Sequence, residues 1–254
     1  MNYPRIIFFD AVGTLFDIRG SVGEIYGEFA QKAGVSVDYQ QLNAAFMQNF
    51  RAAPRAAFAG ADPQQFTQLE YEWWQAIAYQ SFAQVGADAL LTNFDTFFQP
   101  LFDHFAIADP WVLYPETPQV LAEIQSLGIE LAMISNFDSR LHNVLEALDL
   151  DQWFSSVTIS TQVGAAKPAR EIFEAALAPY SYRPDEAWHV GDSWPEDYEG
   201  ATTAGFQGVW LNRDRRQERP KAATPKAGNK SNNKIKAQPI EIQTLSALPS
   251  ILKD

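Results

Sequence analysis

The chain has 254 residues, 46% of them hydrophobic, and a formal net charge of −12, which fits one globular core with a modest insert. The acidic balance argues against nucleic acid as a partner, and no apolar run approaches the roughly 18–20 residues of a membrane span. The absence of cysteine excludes disulfides and thiol catalysis. Because no signal peptide could be removed without losing the first predicted strand, we expect a cytoplasmic protein.

The first predicted element is a buried strand at residues 5–10 that ends in a single carboxylate. Its apolar residues lead into Asp10, and Gly13-Thr14 form the turn that follows. Buried parallel strands are apolar throughout, and open α/β sheets bind ligands at the carboxyl ends of their strands. Asp10 is therefore a candidate nucleophile or metal ligand. The alternative is an Asp that only caps the turn, and this strand alone does not decide between the two.

Residues 17–109 carry many helix signals and few strand signals, which predicts an inserted helical cap domain. Four helices are expected to begin near Ser21, Asp38, Asp62 and Thr92. Aromatic residues recur at helical spacing along them, a pattern more typical of a bundle core than of a ligand site. The candidates for substrate selection in this domain are Arg51, Arg55, Trp73 and Trp74.

From residue 110 onwards, predicted strands and helices alternate, which indicates a Rossmann-like, doubly wound parallel sheet. The core domain should therefore comprise residues 1–16 and 110–254. Its further strands are expected at 130–134, 155–160, 187–191 and 208–212. The helices between them are expected from Thr117 to Gly128 and at Ser139–Leu148, Ala169–Leu177 and Pro195–Ala204. A strand at Pro239–Ile242 and a helix near Leu245–Leu252 should follow.

Three further polar groups stand where predicted strands end or a helix begins. Ser135-Asn136 follow the second core strand, Lys167-Pro168 precede a helix, and Asp192 and Asp197 follow the strand that ends at Gly191. A phosphoryl group needs positive charge and N–H donors around its oxygens, and Mg²⁺ needs hard oxygen ligands. Together with Asp10, these residues therefore fit phosphoryl transfer from an aspartate with Mg²⁺.

With these four groups in this order, the chain resembles the haloacid dehalogenase (HAD) superfamily of aspartate-nucleophile hydrolases, subfamily I with a helical C1 cap. The resemblance covers nearly the whole chain. Within the superfamily, residues 134–138 together with Trp73-Trp74 look most like the hydrolase-domain proteins related to human member 3. The resemblance implies an α/β core under a helical cap that excludes bulk water and selects the substrate.

The resemblance also implies roles for single residues. Asp10 would be the nucleophile and, with Asp192 and the backbone carbonyl of Val12, would hold Mg²⁺. Asp197 would orient Lys167 or a metal-bound water, with Thr14 in support. The groups implied to bind the phosphoryl oxygens are Ser135, Lys167 and the backbone N–H groups of Asn136 and Ala11.

Val12 departs from the pattern of the family's phosphatases, which usually carry at this position a second Asp that protonates the leaving oxygen. General acid–base catalysis contributes about 10²–10⁴ in rate, so weak turnover of simple alkyl phosphates is expected. Phosphonatase-like members need a cap lysine, for which only Lys32 is present. Transport ATPases also lack the acid, but they span membranes. Haloacid dehalogenases work without Mg²⁺ and have no carboxylate where Asp192 stands.

The function predicted from these residues is Mg²⁺-dependent phosphoryl transfer from a small phosphorylated metabolite through an aspartyl phosphate. The alternatives are a non-catalytic HAD-like binding protein and a haloacid dehalogenase-like hydrolase. None of the three histidines has a metal-binding spacing, and His189 is expected to be packed or hydrogen-bonded.

Residues 213–236 form a basic segment with nine Lys/Arg against two acidic residues. Its composition predicts a flexible segment, drawn as 213–238 within the core domain. Two interpretations remain open, a solvated loop and a binding site for an acidic partner.

Overall fold

A computed structural model of the protein describes residues 3–213 and 239–253. Its main sheet has six parallel strands in the order β5-β4-β1-β6-β7-β8. These strands are β1 (Ile6–Phe9), β4 (Glu130–Ser135), β5 (Val157–Ile159), β6 (Ala187–Gly191), β7 (Gln207–Leu211) and β8 (Ile240–Ile242). The predicted Rossmann-like α/β fold is confirmed, and β1 lies in the middle of the sheet.

The sheet lies between two helical layers because β1 has apolar side chains on both of its faces. Ile7 and Phe9 belong to one buried cluster, and Ile6 and Phe8 belong to another on the opposite face. All four side chains are fully buried. Successive side chains of a strand point to opposite faces, so an uninterrupted apolar run requires a helical layer on both sides.

The two layers are formed by helices that lie between the strands in the chain and by one helix that follows the last strand. They are α6 (Thr117–Ser126), α7 (Leu141–Ala147), α8 (Ser160–Val163), α9 (Arg170–Leu177), α10 (Gly200–Ala204) and α11 (Leu248–Ile251). A π-helical turn at Trp194–Glu199 leads directly into α10. Thr117 was expected to be the N-cap of α6, but the N-cap is Glu116. Thr117 is the first residue of the helix, and its hydroxyl donates a hydrogen bond to the carbonyl of Leu15 at 2.9 Å.

Between β1 and β4 the chain forms a helical insert with its own buried cluster. The insert consists of α1 (Val22–Lys32), α2 (Tyr39–Ala52), α3 (Phe66–Gln84), α4 (Asp88–Leu91) and α5 (Phe94–His104). A short antiparallel pair connects it to the core, β2 (Phe16–Ile18) with β3 (Trp111–Leu113). Of the predicted boundaries of the cap domain, Asp17 lies within β2 and Asp109 lies two residues before β3.

Helix starts in the insert follow the predicted polar residues with one exception. The side chains of Ser21, Asp38 and Asp62 accept hydrogen bonds from the first backbone N–H groups of the elements they precede, the last being a 3₁₀ turn before α3. Thr92 does not begin a helix, since α4 precedes it and α5 begins at Phe94. Within the described residues, no helix combines the length and the apolar character needed to cross a bilayer.

Candidate functional site

The polar residues predicted from the sequence meet at the carboxyl edge of the sheet. Asp10 follows β1, Ser135 ends β4 and Asp192 follows β6, and these are three neighbouring strands. Parallel strands that lie side by side bring their carboxyl ends to one edge, which is where α/β sheets bind ligands. Lys167 reaches the same edge from the loop before α9.

Lys167 lies between two carboxylates in the buried floor of the site. Its Nζ donates hydrogen bonds to Oδ1 of Asp10 at 2.7 Å and to Oδ1 of Asp197 at 2.6 Å. Ser135 Oγ donates to the same oxygen of Asp10 at 3.3 Å. Only 2% of Lys167 is exposed, so the ammonium depends on these anions in place of water. A solvated surface lysine is thereby excluded.

Asp197 is held by three donors, which leaves its carboxylate little freedom. Oδ1 accepts from Lys167 and, at 2.8 Å, from His189 Nε2, while Oδ2 accepts from the backbone N–H of Ser193 at 2.9 Å. A side chain at Gly191 would collide with this carboxylate, since its Cβ would lie 2.2 Å from Asp197 Cγ. His189 is thus hydrogen-bonded and packed, as the sequence predicts, and burial lowers its pKa.

Asn136 and the backbone around Asp10 complete the floor. Asn136 Nδ2 donates to the carbonyl of Lys167 at 2.9 Å, and its Oδ1 accepts from the Lys167 N–H at 2.7 Å. The N–H of Ala11 lies against the Asp10 carboxylate and favours its ionised form. Thr14 is fully buried in the turn that follows. The sequence-predicted residues therefore lie together in one site.

The carboxylates of the site differ sharply in their pKa values. Burial raises the pKa of Asp10 to about 6, even though Lys167 works in the opposite direction. Burial, together with the charges of Asp10 and Asp197, raises the pKa of Asp192 to about 8. Burial would also raise the pKa of Asp197, but Lys167 and the His189 hydrogen bond hold it well below its usual value. Ionisation is therefore disfavoured at Asp10 and Asp192 and favoured at Asp197.

The pair of Asp10 and Asp192 fits a divalent cation. Carboxylate oxygens of Asp10, Asp192 and Asp197 all lie within 4.8 Å of one another, and Mg²⁺ prefers oxygen ligands. Asp10 and Asp192 are the two carboxylates expected from the sequence to hold the cation, whereas Asp197 binds Lys167, His189 and the Ser193 N–H. Gly13, at φ +82°, makes room for them, because a Cβ there would lie 2.7 Å from Asp192 Oδ2. Val12 lines the space beside Asp10.

A cavity of about 600 Å³ extends from this floor into the helical insert. Most of its upper wall is aromatic and comes from α2, α3 and α5. The four residues predicted to select the substrate all line it: Arg51, Arg55, Trp73 and Trp74. Many other aromatic residues of the insert are buried in the bundle core, as the sequence predicts, so the aromatic stripes have two roles.

Several polar contacts between insert and core are not foreseen from the sequence. Asp138 accepts a hydrogen bond from Trp74 Nε1 at 2.6 Å and forms an ion pair with Arg140 at 2.7 Å. Arg140 in turn donates to the carbonyl of Phe102 at 2.7 Å and covers its ring at 3.7 Å. We call Trp74, Asp138, Arg140 and Phe102 the clasp. Two further links are formed by buried Glu70 with Ser139 and by Arg55 with Glu196.

The predicted flexible basic segment begins one residue too early, because its first residue, Arg213, is held in place by the core. Its guanidinium donates to the carbonyls of Gly13 and Thr14 at 3.2 and 2.7 Å, pairs with Glu116 at 2.7 Å and covers the Tyr114 ring. Arg213 is therefore bound to the turn after Asp10 and belongs to the core. Residues 214–238, which include the rest of the basic segment, lie outside the described residues.

Comparison with known proteins agrees with this geometry. The sequence profile of the family described as haloacid dehalogenase-like hydrolase matches residues 4–205. The haloacid dehalogenase-like hydrolase domain-containing protein 3 of Xenopus laevis is 31% identical over 208 residues, 82% of this chain and 84% of that protein. The phosphoserine phosphatase of Thermus thermophilus is 39% identical over 112 residues, 44% of this chain and 45% of that protein.

Among solved structures, the L-2-haloacid dehalogenase RSc1362 superposes with a TM-score of 0.69 at 17% identity, covering 100% of both chains. At this level of identity the likeness concerns the fold alone. The profile match and the frog relative each span most of the chain. On these grounds the chain is a member of the haloacid dehalogenase-like hydrolase family.

Proposed function

We propose that the protein is a Mg²⁺-dependent hydrolase that transfers the phosphoryl group of a small phosphorylated metabolite to Asp10 and then to water. The observation that carries this proposal is the placement of Asp192 beside Asp10. Two carboxylates this close repel each other, and the charge of Asp10 adds to burial in raising the pKa of Asp192. A divalent cation between them would relieve this repulsion. The partial match to a phosphoserine phosphatase supports the same reaction class.

In this proposal the cation is held by the carboxylates of Asp10 and Asp192 and by the backbone carbonyl of Val12. Bound Mg²⁺ would supply positive charge to the phosphoryl oxygens. Lys167 supplies the second positive charge, and Ser135 with the N–H groups of Asn136 and Ala11 supplies donors. These groups are fixed before the substrate arrives, which is the condition for effective electrostatic stabilisation.

The first step forms a bond between an Asp10 carboxylate oxygen and phosphorus while the ester P–O bond breaks. The leaving oxygen takes the electron pair of that bond. Water then attacks the phosphorus of the aspartyl phosphate, which releases phosphate and restores Asp10. Asp197 acts as a positioning residue in both steps, because it fixes Lys167 beside Asp10.

The helical insert serves as a cap in this proposal. Its helices cover the cavity above Asp10, and the clasp ties α3 and α5 to the loop after Ser135. Closure of this kind excludes bulk water from a reactive acyl phosphate and selects the body of the substrate.

Dehalogenation uses the same nucleophile, but Asp192 disfavours it. A halide leaves as an anion, and a further carboxylate near the nucleophile opposes both the approach of a haloacid and the departure of the halide. The non-catalytic alternative is disfavoured by the retained pairing of Lys167 with Asp10 and Asp197.

The test is hydrolysis of acetyl phosphate and para-nitrophenyl phosphate by the purified protein, with and without Mg²⁺. Their leaving groups need little protonation, so the lack of an acid at Val12 matters least. We expect Mg²⁺-dependent phosphate release that is lost in Asp10→Asn and kept in Asp185→Asn, an exposed matched control. Release of chloride from 2-chloropropionate without Mg²⁺, in the absence of phosphatase activity, would replace the proposal with dehalogenation.

A further inference from the structure

The cavity above Asp10 has two ends of opposite character. Its floor is polar and charged, with Asp10, Ser135, Lys167 and Asp192. Its wall is largely aromatic. A ligand that fills it must therefore combine an anionic end with an apolar body, because leaving the wall in contact with water forgoes the favourable burial of its rings.

Three rings of the wall share one orientation. The planes of Phe46, Phe50 and Trp74 lie within 14° of one another, with centroids 5.8 to 6.4 Å apart. Phe50 is 36% exposed although it is a large apolar residue, and it lines the cavity. Phe50 is thus a partly exposed ring in a parallel set, and such a ring is suited to stacking against a flat ligand.

The hydrogen-bonding atoms of the tryptophans in this wall are already used. Trp73 Nε1 donates to the carbonyl of Pro54 at 2.9 Å, and Trp74 Nε1 donates to Asp138. What these side chains present to a ligand is therefore their apolar surface. Arg51, Arg55 and Arg140 also line the cavity. The hydroxyls of a sugar phosphate that face the aromatic rings would still lose their hydrogen bonds to water, and that loss opposes binding.

Val12 is an independent observation that points the same way. A leaving oxygen that receives no proton from the enzyme must depart as an anion. A phenol has a pKa of about 10, whereas an alcohol is about as weak an acid as water, whose pKa is about 15.7. Phenoxide is therefore a far better unassisted leaving group than an alkoxide.

From these two observations we propose that the substrate is an aryl phosphate, whose ring stacks on Phe50 and Trp74 while its phosphoryl group reaches Asp10. The inference rests on the proposed function and names its substrate class. As Asp10 bonds to phosphorus, the P–O bond to the ring oxygen breaks, and the phenoxide keeps that electron pair and later takes a proton from water.

The test compares four phosphates that separate ring stacking from leaving-group quality. They are 1-naphthyl phosphate, 1-naphthylmethyl phosphate, acetyl phosphate and glucose 6-phosphate. We expect kcat/KM for 1-naphthyl phosphate to exceed that for 1-naphthylmethyl phosphate and for glucose 6-phosphate at least about a hundredfold, within the contribution of a missing general acid. Comparable values for 1-naphthyl phosphate and glucose 6-phosphate would overturn the inference.

Variants of two exposed aromatic residues test the wall itself. Phe50→Ala should lower the ratio of kcat/KM for 1-naphthyl phosphate to that for acetyl phosphate about tenfold, within the range of aromatic stacking. Tyr79→Ala, which removes an exposed ring that does not line the cavity, should leave the ratio unchanged. Equal ratios in both variants would show that the wall does not bind the ring.

Binding provides a readout that does not depend on turnover. Calorimetry with Asp10→Asn and Mg²⁺ should give about tenfold tighter binding of 1-naphthyl phosphate than of glucose 6-phosphate, and Phe50→Ala should abolish that preference. Hydrolysis of acetyl phosphate without a preference for the aryl ester would refute only this inference. If none of the four phosphates is hydrolysed, the proposed function itself fails.

Discussion

Asn136 holds Lys167 through the backbone. Its side-chain amide accepts the N–H of Lys167 at 2.7 Å and donates to the carbonyl of the same residue at 2.9 Å. Two hydrogen bonds to one residue fix both the position and the direction of the chain there. The side chain of Lys167 therefore starts from a defined point on its way to Asp10 and Asp197.

Replacement of Asn136 by Ala should lower kcat for acetyl phosphate by about tenfold to a hundredfold. The variant keeps the backbone N–H proposed to bind phosphate, but it releases Lys167, and small misplacement of a charge-stabilising group is costly. Steady-state kinetics would measure this effect. Gln99→Ala, which removes an exposed amide that does not line the cavity, is the control. An unchanged kcat in Asn136→Ala would show that Lys167 does not need this support.

The metal-free protein should lose stability as the pH rises from 6.5 to 8.5. The pKa of Asp192 is raised to about 8, so the folded state holds a proton there that the unfolded state has already released, and stability falls until that proton is lost. His189, whose lowered pKa gives the opposite slope, titrates below this window. We expect the melting temperature in EDTA to fall by about 5 °C.

Two comparisons test whether Asp192 causes this fall in melting temperature with rising pH. Asp192→Asn has no titrating group at this position, so its melting temperature should be flat over the same window. Mg²⁺ competes with the proton for Asp192, and its stabilising effect on the wild type should be larger at pH 8.5 than at pH 6.5. A slope that persists in Asp192→Asn would contradict the assignment.

Val12→Asp should restore an acid beside the leaving oxygen. We expect at least a tenfold gain in kcat/KM for an alkyl phosphate such as glycerol 3-phosphate, and less than threefold for para-nitrophenyl phosphate, whose leaving group needs no proton. Val12→Asn is the matched control, since it has similar size and polarity but no acidic proton. An equal gain in both variants would assign the effect to polarity.

The clasp should contribute strongly to stability. Only 1% of Asp138 and 10% of the Arg140 side chain are exposed, so Asp138→Ala would leave a largely buried guanidinium without its anion. Breaking such a pair costs about 3–5 kcal/mol, which corresponds to a fall in melting temperature of about 10 °C. Asp185→Ala removes the anion of an exposed pair and should leave the melting temperature unchanged. Calorimetric melting of both variants would decide this.

The parallel sheet was predictable because its signals are local. Each buried strand is an apolar run, and the polar residue after it, such as Asp10 or Ser135, marks the edge where ligands bind. Four such groups in order also led to the family. The antiparallel strands β2 and β3 were missed, because they lie where the insert joins the core, outside the alternation of strands and helices that marked the other strands.

The contacts of the insert with the core could not be predicted in the same way. Asp138 and Arg140 are near neighbours in sequence, but their partners Trp74 and Phe102 come from two different helices. Nothing in the local pattern selects those partners. Arg213 was assigned to the basic segment by composition, whereas its position at the end of a core strand brings it against the turn after Asp10.

The central position of β1 determines how late this strand can pair during synthesis of the chain. β1 is among the first elements to be synthesised, yet Ile6 pairs with Glu130 on one side and Ala187 on the other. At about 5–20 residues per second, on the order of ten seconds pass before both neighbours exist. During this time an apolar strand without partners is exposed to aggregation or to chaperones. The helices of the insert pack with partners much closer in the chain. They should therefore fold on the ribosome before β1, which carries Asp10 at its end, has paired with its neighbouring strands.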